Sequence, residues 1–174
     1  MRATKKLTLS AMLSALGTAL MVVGGYVEVL DLTVCALVSL LVAFACVEIG
    51  SPYTWLIWLV TSLSTFLIPT GKSLWLLYLL IFGIYPILKG LIERLPRPVW
   101  YVLKLLFINV ILVIMTFAYE LIFGVPLVPI ENKIFVIGVY LVMNVGFIAY
   151  DMFITVMMRM YLFKLRSRIK NLLK

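Results

Sequence analysis

Six apolar stretches, about 7–27, 32–49, 53–70, 74–92, 99–123 and 133–158, run between the charged and turn-forming residues of this chain. A helix needs about 20 mostly apolar residues to cross a bilayer, and in hydrocarbon the backbone must satisfy its own hydrogen bonds. The pattern therefore predicts an all-α fold: an integral membrane bundle of six transmembrane helices. Composition agrees, because 65% of the 174 residues are hydrophobic and 13% charged, whereas soluble domains are roughly half apolar and about a quarter charged. Gly24-Gly25, Pro52, Pro69 with Gly71, Pro96 with Pro98, and Pro126 with Pro129 punctuate the joins. A re-entrant course through 32–70 would leave five spans. No polar segment is long enough for a separate soluble domain, so a single transmembrane domain over 1–174 is expected, ending in a basic tail, 159–174. The first stretch is too long for a signal-peptide core and is expected to be a retained anchor.

Charge supports six spans. Arg2, Lys5 and Lys6 precede the first stretch; Lys89, Arg94, Arg97 and Lys104 bracket the fourth join; Arg159, Lys164, Arg166, Arg168, Lys170 and Lys174 follow the last. With six crossings all of these fall on one face, and of the 15 Lys and Arg only Lys72 and Lys133 fall on the other. The positive-inside rule then puts both termini in the cytoplasm of a multi-pass cell-membrane protein. The net charge of +8 is read as headgroup anchoring at span ends, not as nucleic-acid binding. The tail from Tyr161 is expected to continue the last helix along the membrane surface, against anionic lipid or a cytoplasmic partner. Cys35 and Cys46 are about three helical turns apart on one stretch, too far to bridge, and read as small hydrophobes.

The first helix carries two strips of small residues. Ala11, Ala15 and Ala19 recur every fourth residue, and Ser10, Ser14 and Thr18 run beside them with Gly17 between. Residues four apart share a helix face, and small side chains permit the close backbone approach on which helix association in lipid depends. The alanine strip is expected to dock another helix.

Enzyme chemistry finds little to work with. The chain has no histidine, which removes His-based acid–base catalysis and the common His-containing metal sites. Its aspartates, Asp31 and Asp151, are expected at different depths, so they cannot form a paired-carboxylate site. Gly71-Lys72-Ser73 has the end of a phosphate-binding loop, but Phe66 stands where the first glycine belongs. No catalytic residue, cofactor or metal is expected.

Polar residues at membrane depth are costly and therefore informative. Glu48 and Asp151 are expected toward the cytoplasmic half, within reach of Arg or Lys; Asn109 also lies at depth. Toward the outer joins, Glu28, Glu120 and Asn144 share a depth with Tyr26, Trp75, Tyr78 and Tyr119. Acceptors among aromatic rings suit a small planar or cationic ligand, so Tyr26, Glu28, Trp75, Tyr78, Glu120 and Asn144 are the candidate substrate-binding residues. Trp55, Trp58 and Trp100 read as interfacial belt or packing residues.

The chain resembles the substrate-binding S components of energy-coupling factor (ECF) transporters. The residue-level likeness is the stretch from Lys5 to Gly17, KKLTLSAMLSALG, with Ala11 and Ala15 in the Ala-xxx-Ala positions and Ala19 extending them; length, span count and charge topology cover the rest. The resemblance implies six helices with cytoplasmic termini and capture of a vitamin or similar micronutrient from outside. It also implies partners: a transmembrane coupling subunit docked on the alanine face, and two ATPase subunits that energise uptake. No signature of the thiamine, riboflavin, folate or biotin binders is present. A six-span envelope scaffold, of the kind seen in rod-shape factors, would use the same alanine strip without a small-molecule ligand.

Overall fold

The computed structural model describes residues 3–68, 74–126 and 133–166, all in helices or short connections, with no strand among them. The elements are α1 (Ala3–Gly25), a 3-10 turn (Glu28–Leu30), α2 (Asp31–Glu48), α3 (Tyr53–Leu67), α4 (Leu74–Leu77) running into a π turn (Tyr78–Phe82), α5 (Tyr85–Ile92), α6 (Arg97–Phe123), and α7 (Lys133–Met160) with a closing π turn (Tyr161–Leu165). Five helical segments are long and apolar enough to cross a membrane: Ala3–Gly25, Asp31–Glu48, Leu74–Ile92, Pro98–Phe123 and Ile134–Lys164. The sixth expected span, α3, has 15 helical residues, roughly 22 Å at 1.5 Å per residue, short of a hydrocarbon core of about 30 Å. The expected fourth span is one apolar segment but not one regular helix.

Local chemistry sets the ends. Pro98 sits in the first turn of α6, where a missing N–H costs nothing. Gly124 closes α6 in the left-handed conformation, φ 68°, and its N–H bonds the Glu120 carbonyl at 2.9 Å. Gly50, φ 77°, makes the reversal between α2 and α3 that a side chain would oppose.

Two compact units divide the chain, one comprising Met1–Gly90 with Phe153–Lys174 and the other Leu91–Met152. The core of the first is built by Met21 of α1, Cys35, Val38 and Val42 of α2, Ile57 of α3, and Leu74 and Tyr78, all essentially sealed. The inward strip of α1 consists of Ser10, Leu13, Ser14, Gly17, Met21 and Gly24. A Cβ on Gly17 would lie 3.2 Å from Val38 Cγ1 and 3.4 Å from Thr61, and one on Gly24 only 2.8 Å from Val34. These glycines are where the helices touch. Buried hydroxyls along the contact bond carbonyls of their own helices: Ser10 to Lys6 at 2.8 Å, Ser14 to Ser10 at 2.9 Å, Ser62 to Trp58 at 2.7 Å, Thr65 to Thr61 at 2.8 Å. These four side chains are small enough for close packing and satisfy their own hydroxyls in a dry interior.

The same unit ties the two terminal segments to one place. Lys6 Nζ donates to the Ile49 carbonyl at 3.0 Å, just past the end of α2. Tyr161 Oη and Arg166 Nε donate to Glu48 Oε1 at 3.0 and 2.9 Å. Segments near both ends of the described chain therefore meet at the C-terminal end of α2.

The second unit is an antiparallel pair, α6 with α7 as far as Met152, crossed by polar contacts at three levels. Lys104 Nζ meets Asp151 Oδ2 at 2.9 Å and Glu93 Oε1 at 3.2 Å. Deeper, Asn109 and Asn144 exchange reciprocal amide bonds at 3.1 and 3.3 Å. Beyond them the Thr116 and Tyr140 hydroxyls lie 3.3 Å apart. Phe107 and Phe147 fill between the first two levels, ring centroids 6.1 Å apart.

Candidate functional site

The two strips on α1 have opposite fates. Ser10, Ser14 and Gly17 are buried against α2 and α3, while Ala11, Ala15 and Ala19 are uncovered by protein. The alanines form one wall of an elongated apolar groove of about 920 Å³ between α1 and α3. The facing wall is Leu56, Val60 and Ser64, spaced by four and therefore on one face of α3, with Ile68 just past the helix end. That wall was legible as a periodicity in 56–68, but nothing there stood out from ordinary apolar helix. The floor is narrow because glycine and hydroxyl residues bring α1 and α3 together. The rims are the half-exposed Leu56 and Val60 and the exposed Val23. A groove with a small-residue floor and flexible aliphatic rims admits the ridge of another helix.

The six candidate substrate residues are distributed otherwise. Tyr26 lies just past the end of α1 with 78% of its surface exposed. Glu28 opens the 3-10 turn, and its side chain lies outside the described residues. Trp75 is half-buried, edge-on to Phe66 with ring centroids 5.0 Å apart. Tyr78 is fully buried in the first unit's core, and its hydroxyl lacks a partner within hydrogen-bonding geometry among the described residues; Thr61 Oγ1 is in the same condition. In the second unit, Glu120 is exposed near the end of α6, and Asn144 is held by Asn109 and by the Tyr140 carbonyl at 2.8 Å. Among the described residues, no hydrogen bond or ring contact joins Tyr26, Trp75 and Tyr78 within the first unit, or Glu120 and Asn144 within the second. Tyr119 stacks at 4.5 Å on Phe123, along its own helix.

Trp58 has a structural part that composition did not disclose. Its indole N–H donates at 3.1 Å to the Leu79 carbonyl in the π turn, where the i→i−4 ladder is interrupted. Gly83 makes room for it: a Cβ there would lie 2.5 Å from the Trp58 ring. The tryptophan braces an irregular stretch inside an apolar segment, satisfying a carbonyl that lipid cannot.

The carboxylates expected to find cations do so. Glu48 takes Arg166, and Asp151 takes Lys104, whose ammonium also lies 5.9 Å from the Trp100 ring centroid. Glu93, a third member of that cluster, carried no signal beyond its charge. Lys89 is buried yet bonds Thr155 Oγ1 at 2.7 Å and lies 5.9 Å from the Tyr85 ring. These groups are paired, which keeps charge tolerable at the ends of apolar helices. No protein-family model, curated protein or solved structure matches the chain.

Proposed function

We propose that this protein is the membrane-embedded substrate-binding subunit of an ECF-type importer. It captures a vitamin or similar small micronutrient from outside the cell and hands it to an ATP-driven coupling module. The observation that carries the reading is the uncovered Ala11–Ala15–Ala19 strip on the α1/α3 groove. The Ser10–Ser14–Gly17 strip satisfies the internal packing of α1, so the alanines remain for a helix of another chain. That helix belongs to the coupling subunit, which brings two ATPase subunits with it. The end of the first unit bearing Lys6, Glu48 and Arg166 faces the cytoplasm, because the positive charge gathers there.

Co-purification with the host's coupling module tests the proposal. Wild-type protein is expected to associate, and Ala11→Leu with Ala15→Leu is expected to reduce association while the isolated subunit keeps its thermal stability. A wild-type protein that never associates refutes the transporter reading. For ligand capture, Glu120→Gln or Asn144→Ala should weaken binding of the small molecule retained by purified protein, identified by mass spectrometry; unchanged binding by both removes them from the site.

A scaffold reading shares the groove. It is favoured by the condition of two candidate pocket residues, Tyr78 sealed in a core and Asn144 engaged with Asn109. Retention of no small molecule, together with co-purification with cell-wall synthesis proteins, would decide for it.

A further inference from the structure

The last turns of α7 have two different sides. On one, Tyr161 turns inward, its hydroxyl on Glu48 and its ring edge-on to Phe44 with centroids 5.1 Å apart, and Arg166 reaches the same carboxylate. These contacts fix the rotation of the segment about its axis. On the other, Phe163 projects with 85% of its surface uncovered, and Arg159 and Lys164 are exposed with no ion pair or hydrogen bond among the described residues. Glu48 is the carboxylate at this end of α2 and is already matched by Arg166; Glu28 and Asp31 belong to the opposite end. No carboxylate of the unit at this end is therefore left over for Arg159 and Lys164, and both remain available to an external anion.

We propose that the Arg159–Lys164 turn is a binding site for the phosphate of an anionic phospholipid headgroup. Phe163 enters the interface beside the two cations. A ring uncovered between two cations, on a helix that has just left an apolar span, suits the boundary where acyl chains meet headgroups. The pinned Tyr161 makes this a fixed face and not merely a cationic tail.

Native mass spectrometry of the purified full chain with phosphatidylglycerol or phosphatidylcholine tests it. Each juxtamembrane cation contributes enough to change anionic-lipid affinity about five-fold. Arg159→Gln and Lys164→Gln should therefore each weaken phosphatidylglycerol binding about five-fold, with phosphatidylcholine unaffected. Phe163→Ser should weaken phosphatidylglycerol binding with no change in charge. Arg159→Lys and Lys164→Arg should bind like wild type, which separates loss of the site from loss of fold. Four results overturn the proposal: unchanged binding in both Gln variants; an equal loss on Arg94→Gln, which would mean net charge alone; displacement of the lipid by equimolar inorganic phosphate; or preference for a soluble acidic peptide over phosphatidylglycerol.

Discussion

Gly17 and Ala15 stand two residues apart on α1 and face opposite surroundings, so one substitution made at both positions should give opposite results. At Gly17 a Cβ alone would sit 3.2 Å from Val38 Cγ1 and 3.4 Å from both Thr61 Cγ2 and Oγ1. Leucine adds three further carbons to a contact already tighter than van der Waals separation. Overpacking of this kind typically costs about 1–3 kcal/mol, and for a chain of this size each kcal/mol lowers Tm by roughly 2–4 °C. Gly17→Leu is therefore expected to lower Tm by about 2–12 °C in detergent. Ala15 is uncovered and borders the groove, where a larger aliphatic group meets lipid or detergent. A change within about 0.5 kcal/mol, or about 2 °C at most, is expected for Ala15→Leu. Thermal unfolding followed by far-UV circular dichroism reads both. Should Ala15→Leu destabilise as much as Gly17→Leu, the alanine strip packs within the chain and the docking argument fails. A neutral Gly17→Leu would place the α1 contact with α2 and α3 wrongly.

Three other perturbations address separate parts of the molecule. Lys104→Met should cost about 1–3 kcal/mol by stranding Asp151 and Glu93, and adding Asp151→Leu should restore part of it, since a half-broken pair is worse than none; no recovery in thermal unfolding would deny the pairing. A double-mutant cycle on Asn109→Leu and Asn144→Leu should return a coupling of about 0.6 kcal/mol, a usual size for hydrogen bonds between membrane helices, whereas zero coupling would deny the amide exchange. Glu48→Gln should free the segment after Tyr161: the Arg166 pair is half exposed and worth about 0.2–1 kcal/mol, so limited trypsinolysis at Lys164 and Arg166 should run about 1.5- to 5-fold faster, and an unchanged rate would mean that the carboxylate does not hold the turn.

Several readings of the sequence needed nothing but periodicity and charge. Apolar stretches of spanning length dictate helices, because backbone groups in lipid have no other partner. The expected boundaries of α2, α6 and α7 lie within a few residues of the helix ends, and charges or Pro and Gly mark those ends. α1 begins at Ala3, ahead of Lys5 and Lys6, since long cationic side chains can leave the helix surface for water. The pairing of Glu48 and Asp151 with cations was likewise foreseeable, because a carboxylate near a basic span end has few alternatives. Less legible was 74–92: hydropathy averages along a segment and is blind to a π turn braced by Trp58, which depends on the missing Cβ of Gly83. Nor could an inferred depth disclose that Tyr78 is sealed in the first unit's core, because depth says nothing about rotation around each helix.

Sequence by itself determined that the chain folds into long apolar helices, and the pair of small-residue strips on the first of them. Spacing could show that Ala11, Ala15 and Ala19 share one face and Ser10 and Ser14 another, but both strips suit close helix contact equally well. Only tertiary packing chose between them. Gly17, buried among Val38 and Thr61, and Gly24 beside Val34 turn the serine face inward, and the rotation of a rigid helix then carries the alanines to the surface. A helix has one rotational setting, and the closest contact decides it.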